Sequence, residues 1–233
     1  HPAALALVGR HRVRAWEPLP WILALAFFFA FPNHLGFGAD LLITILFALS
    51  LDLALGYAGI VTLGHAAFFG AGAYTVGMLA HHGIWNEPIS SLAIGAGVAA
   101  LIGLASGLIL LRTTGLTLLM LTLCTMALLE EAANMGEKYT GGFDGLPNLP
   151  IPPLFGLFEF NPLYPRVQYL YVLGVLFLCF VFIRTLVYSP FGHSLTGIRE
   201  NVLRMHAVGA PVNWRLVTCY TISAAVAGIA GGL

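Results

Sequence analysis

Charge is what this 233-residue chain has least of: 9% of its residues are Asp, Glu, Lys or Arg, against about a quarter in a typical soluble domain. Too few charged groups exist to cover a globule with water-compatible surface. With 59% hydrophobic residues and a mean hydropathy of +0.89, its main solvent is expected to be lipid. Ten basic residues balance ten acidic ones, which excludes a strongly basic nucleic-acid surface. Cysteine is also scarce. Cys124, Cys179 and Cys219 are odd in number, far apart and set in apolar runs. They offer neither a disulfide framework nor a metal-ligand spacing, and read as small packing residues. No G-x-x-x-x-G-K-[ST] phosphate loop occurs, so the chain does not bind ATP by that motif. A metal site at His81 and His82 with Trp85, Asn86 and Glu87 lacks further ligands at a usable spacing. No catalytic group, metal or cofactor is expected.

Long apolar runs are abundant. A spanning helix needs roughly 20 mostly apolar residues, and candidate spans lie at 16–31, 40–56, 64–80, 90–111, 115–134, 168–188 and 214–233. The first is the weakest, because its clean part from Leu19 to Phe31 is short and holds Pro20; an interfacial helix is the alternative. The runs are continuous rather than alternating, which excludes a β-barrel. The expected fold is an all-α polytopic transmembrane helical bundle of about seven spans. With seven crossings and a cytoplasmic N-terminus, Arg10, Arg12, Arg14, Arg112, Arg184, Arg199, Arg204 and Arg215 lie inside, against Lys138 and Arg166 outside. That is eight of ten basic residues on the inner side. Without the first crossing the split is five to five. The basic start does not read as a cleaved signal, since Pro32 and Asn33 follow the run. The chain lacks an initial Met and stops within the run "SAAVAGIAGGL", so a portion of a longer, C-terminally incomplete protein is expected.

Small residues recur every fourth position at Gly95, Ala99, Gly103 and Gly107 and at Ala224, Gly228 and Gly232, with Ser223, Ala227 and Gly231 alongside. Such stripes let helix backbones approach closely in lipid.

Polar intrusions mark candidate functional positions. Asp52 lies near the end of the second span, where a carboxylate either serves a pathway or reaches water. The stretch "GYAGIVTLGHAAFFGAGAY" (56–74) interrupts the apolar period between Gly56 and Gly59. It reads either as a short turn with a packing histidine, or as a discontinuous or re-entrant segment near 56–64 of the kind that builds transporter sites. In the second reading Tyr57, Gly59, Thr62 and His65 join Asp52 on a substrate pathway. Glu130 and Glu131 fall near the outer end of the fifth span. The outer loop, 135–167, contains "YTGGFDGLPNLPIPP", in which Gly141, Gly142, Asp144 and Gly145 form a tight turn region before the prolines extend the chain. In the inner loop Leu195, Ile198, Val202 and Met205 recur at helical spacing. This predicts one amphipathic helix, ended by Gly209 and Pro211, whose mixed polar face suits a protein partner better than lipid.

"LGYAGIVTLGHAAFFGAGAY", "TGGFDGLPNLP" and "SPFGHSLTGIRENVLRMHAVG", in this order and spacing, resemble the inner-membrane permease subunits of bacterial ABC importers for branched-chain amino acids, of the M type of the Liv system. The resemblance covers most of residues 40–233. It implies a multi-pass inner-membrane permease over 1–233, with a second homologous permease subunit, two cytoplasmic ATP-binding subunits and a periplasmic substrate-binding protein. It also implies that 189–212 is a cytoplasmic ATPase-coupling segment, with Gly192, Arg199, Glu200, Asn201 and Gly209 as the matching positions. His193, Met205 and His206 depart from the family's pattern, as does Asp52, where the family often has Asn. Related systems carry urea, short amides or aromatic acids, and the motifs do not separate these cargoes. A stand-alone ion-coupled carrier using Asp52 and His65 is the competing class, and a structural membrane subunit without a pathway is a third.

Overall fold

The computed structural model describes residues 18–82, 87–136, 140–142 and 165–233. Among these the chain is helical throughout its regular elements, and no strand occurs. We number the helices α1 (Leu19–Ala30), α2 (Leu35–Asp52), α3 (Ala66–His81), α4 (Pro88–Leu110), α5 (Leu116–Met135), α6 (Pro165–Val187), α7 (Pro190–Glu200), α8 (Val202–Ala207) and α9 (Val212–Gly232). A 3-10 turn, Pro32–His34, leads into α2, and a π-helical turn, Leu53–Tyr57, leaves it.

Five of these segments are long and apolar enough to cross a bilayer: Pro32–Tyr57, α4, α5, α6 and α9. Two others correspond to the remaining apolar runs. Helix α1 has 12 residues, about 18 Å, because Pro20 sits in its first turn and the chain bends at Pro32. Helix α3 has 16, because it starts inside the bundle. The outer surface is apolar, with Phe29 80% and Ile109 70% exposed, as a lipid-facing surface requires. Together the long apolar helices and this surface make the chain a multi-pass membrane protein.

Helix α9 is the centre of the bundle. Half of its apolar stretch is buried, against 11% for the peripheral α5, and it packs on α4, α3 and α2. The small-residue stripes of α4 and α9 face one another. A Cβ at Gly228 would meet the methyl of Ala99, and one at Gly103 would meet that of Ala224. Helix α3 joins at the same level, where a Cβ on Gly72 would strike the Gly228 carbonyl. Glycine and alanine here let three backbones approach within contact distance. A second layer packs α2 on α6, where the Tyr169 hydroxyl donates to the Ala24 carbonyl of α1 at 2.8 Å.

The inner loop corrects one sequence expectation. The 188–210 stretch forms two helices, not one. Asn201 is extended (φ −158°, ψ 101°) and its side-chain oxygen accepts from the Arg204 N–H at 3.0 Å, so it caps a new helix instead of continuing the old. Leu195 and Ile198 are buried, whereas Val202 is 46% exposed and partly buried Met205 lies against Gly197, so the apolar stripe does not run straight across the break. The stop at Gly209 is as expected, with φ +81°.

Replacing Gly228 with Leu is expected to wedge α9 from α3 and α4 and destabilise the chain by about 1–3 kcal/mol. Gly97→Leu, where a Cβ meets nothing within 4 Å, is expected to leave the unfolding temperature in detergent unchanged.

Candidate functional site

Helix α2 does not simply end. Its π turn carries the chain to Tyr57, after which residues 58–64 run without regular structure until α3 begins. The N–H of Ile60, which would bond to Gly56 in a continuous helix, bonds instead to the Ala54 carbonyl at 3.0 Å. Gly59 turns the chain at φ +72°, a conformation open to glycine and costly for other residues. The chain then climbs back beside α2, because His65 comes to lie next to Ser50. Seven residues of helix separate Ser50 from Tyr57, about 10 Å of rise. The segment is therefore re-entrant, the second of the two readings of 56–64. Ser223, also beside His65, follows Val212 by eleven residues in a 21-residue helix. The upper end of the break thus sits near the middle of α9.

That upper end is a buried polar network. The Ser50 hydroxyl donates to the Phe47 carbonyl at 2.6 Å, and the Ser223 hydroxyl donates to the Ser50 carbonyl at 2.6 Å. Both hydroxyl protons are thereby used. His65 Nε2, 3.0 Å from Ser50 Oγ and 3.3 Å from Ser223 Oγ, must then be the protonated nitrogen and donate to both. Nδ1 is left a buried acceptor with no partner. The imidazole is 2% exposed and boxed by Phe47 and Phe68, each 5.6 Å away between ring centres. Phe68 meets Tyr220 edge-on, whose hydroxyl reaches Thr62 and Ser106. Thr122 of α5 accepts from the Leu63 N–H at 3.2 Å, and Gly64 lies flat against the Thr122 carbonyl.

The lower end is charged and exposed. The Arg199 guanidinium donates to the Gly56 carbonyl, and its stem lies over Gly59, with Cγ 2.8 Å from where a Cβ would stand. Asp52, Tyr188 and Arg199 all lie close enough to Tyr57 to interact electrostatically. Arg184 covers the Tyr188 ring at 5.7 Å. A cavity of about 260 Å³ opens here, lined by residues of the break, the α4–α5 turn and the α7–α8 junction, among them Val61, Thr113, Gly115, Ile198 and Val202.

Asp52, Tyr57 and Gly59 therefore gather with Arg199 at one end of the break, and Thr62 and His65 at the other. Gly192 holds a different place, packed against the Val187 carbonyl at the α6–α7 corner, where Ser189 Oγ caps its N–H. Glu200 and Gly209 are exposed, Asn201 partly so. Gly141 and Gly142 adopt positive φ; Asp144 and Gly145 lie outside the described residues, as do Arg10, Arg12, Arg14 and Lys138. Among the described residues no group of three potential metal ligands occurs. Sequence reasoning missed Ser50, Thr122 and the polar use of Ser223. Their signal was a hydroxyl within an apolar run, and Ser223 had been accounted for as a packing residue.

A family model described as "Branched-chain amino acid transport system / permease component" matches residues 35–233. The high-affinity branched-chain amino acid transport system permease proteins LivM of Escherichia coli K12 and Salmonella typhimurium LT2 are each 30% identical over 217 residues, covering 82% of this chain and 50% of theirs. The chain thus spans half the length of these curated relatives. No solved structure matches.

Removing the Ser223 hydroxyl by Ser223→Ala, or the Ser50 hydroxyl by Ser50→Ala, is expected to cost about 1 kcal/mol each. Because the two share His65, the double variant is expected to lose less than the sum by about 0.5 kcal/mol or more, as read by unfolding in detergent micelles.

Proposed function

This chain belongs to the branched-chain amino acid transport system permease component family, and from that premise we propose that it is the membrane-spanning subunit of an ATP-driven importer of branched-chain amino acids. It lies in the bacterial inner membrane with its N-terminus in the cytoplasm and about seven crossings. It pairs with a second homologous permease, two cytoplasmic ATP-binding subunits and a periplasmic binding protein. The family match over residues 35–233 carries this reading.

The geometry supports it in two respects. Arg112, Arg199 and Arg215 belong to the turn, junction and helix start that surround the lower cavity, so basic residues gather at one end of the bundle, as a cytoplasmic face requires. The re-entrant break lies beside that face at one end and reaches the middle of α9 at the other. Irregular backbone at such depth is stable only when buried or lining a passage. Asp52, Tyr57 and Gly59 form the lower end of the pathway along the break, Thr62 and His65 hold its buried upper end in place, and the 189–212 segment seats in the ATPase. The 135–167 loop faces the periplasm, toward the binding protein. Chemistry resides in the ATPase subunits, and this chain supplies shape and motion.

In proteoliposomes holding the full chain with its second permease and ATPases, labelled leucine uptake is expected to require ATP and the loaded binding protein. Unlabelled valine and isoleucine should compete, and urea, short amides and aromatic acids should not. Uptake by this polypeptide alone that an ionophore abolishes would establish the ion-coupled carrier instead.

A further inference from the structure

The break in α2 leaves an unmet backbone acceptor, and the residue that meets it comes from 143 positions away in sequence. Because the Ile60 N–H closes on Ala54, the Gly56 carbonyl has lost its helical donor. It sits at the C-terminal end of a helix, where aligned carbonyl dipoles favour a cation. Arg199 supplies one, on the final turn of α7. It also lays its stem over Gly59, the residue whose left-handed backbone makes the turn. The side chain is therefore directed onto this subunit's own break, although its position in the inner segment suggested an outward role in docking a partner. The rest of α7 is packed against the bundle by buried Leu195 and Ile198, which fixes where its last turn presents Arg199.

We propose that Arg199 is a detachable C-cap, a positioning residue through which the 189–212 segment sets the state of the 56–64 break. Seated against the bundle, the segment keeps the cap on Gly56 and the lower end of the break closed. Drawn away, it removes the cap, exposes the Gly56 carbonyl and frees the Gly59 turn. The small cavity bordered by Val61, Thr113, Val202 and the Arg199 stem is the space into which that turn opens. This deepens the transport reading and depends on it only for its uptake readout.

The test uses the complete complex in membrane vesicles, with exposed Cys124 replaced by Ala, buried Cys179 and Cys219 retained, and a probe cysteine in place of Ala58, which is 4% exposed and lines the same cavity. A water-soluble maleimide is the reagent. With Arg199 present, labelling is expected to be slow without nucleotide and faster when ATP is held bound. Arg199→Ala should make it fast in both states, by roughly tenfold without nucleotide, the equilibrium weight of one charge-assisted hydrogen bond. Arg199→Lys, with a single ammonium in place of the fork, should fall between. In the same vesicles uptake per ATP hydrolysed should fall with Arg199→Ala while hydrolysis and co-purification of the ATPases persist. Gly59→Ala, which displaces the Arg199 stem, should copy the labelling pattern. Labelling at position 58 indifferent to Arg199 would overturn the proposal, and so would failure of both Arg199 variants to insert, which would make the residue purely structural. A parent complex that takes up no amino acid would defeat the transport reading, yet the maleimide rates would still decide the cap.

Discussion

A polypeptide that abandons helical hydrogen bonding inside an apolar bundle must find a partner for each backbone group it frees, because every one left bare costs several kcal/mol. Between Leu53 and His65 several backbone groups meet that constraint through identifiable partners. Ile60 closes on Ala54, the Cys219 thiol approaches the Leu53 carbonyl at 3.5 Å, Thr122 takes the Leu63 N–H and Arg199 meets Gly56. The partners come from α5, α7 and α9 as well as from the segment itself. No part of the break is stable alone, and its shape is a consequence of how the surrounding helices are placed.

Those helices are placed by what they lack. Between α3, α4 and α9 the contact surface is built from Gly72, Gly95, Ala99, Gly103, Ala224 and Gly228, with almost no side-chain volume. Helices that approach this closely leave little room for intervening side chains, so a hydroxyl on one can reach a carbonyl on the next. Ser223 is the example. It belongs to the small-residue stripe of α9 and for that reason comes within 2.6 Å of the Ser50 backbone. The same smallness that packs the bundle makes the deep polar network at His65 possible.

Much of this was legible in the residues. Continuous apolar runs marked the helices, four-residue spacing of small residues marked the seam, and glycines flanking Tyr57 marked the break. What the sequence left open was which elements meet, because hydrogen bonds across 143, 158 or 173 positions have no local signature. Arg199 therefore read as a coupling residue by its neighbours in the chain, while its spatial neighbours are Gly56 and Gly59. The split of α7 from α8 was missed for the opposite reason. An apolar period continued through Asn201, but a local side-chain bond to the Arg204 N–H outweighed it, the competition that makes Asn a capping residue.

The two ends of the break differ in what it takes to undo them. At His65 the network is buried and enclosed by aromatic rings, and parting it would strand buried hydroxyls and an imidazole. At Gly56 the bond is made by an exposed guanidinium, and water can take its place on the carbonyl, so that only one charge-assisted hydrogen bond is given up. A load applied to the segment will therefore open the lower end long before the upper one. His65 anchors the re-entrant chain near mid-bundle as a fixed point, and the glycine turn at 56–59 is where the same chain can yield. Under the proposed release of Arg199, the interrupted helix would act as a hinged flap with its pivot buried at His65 and its free edge at the surface, beside α7.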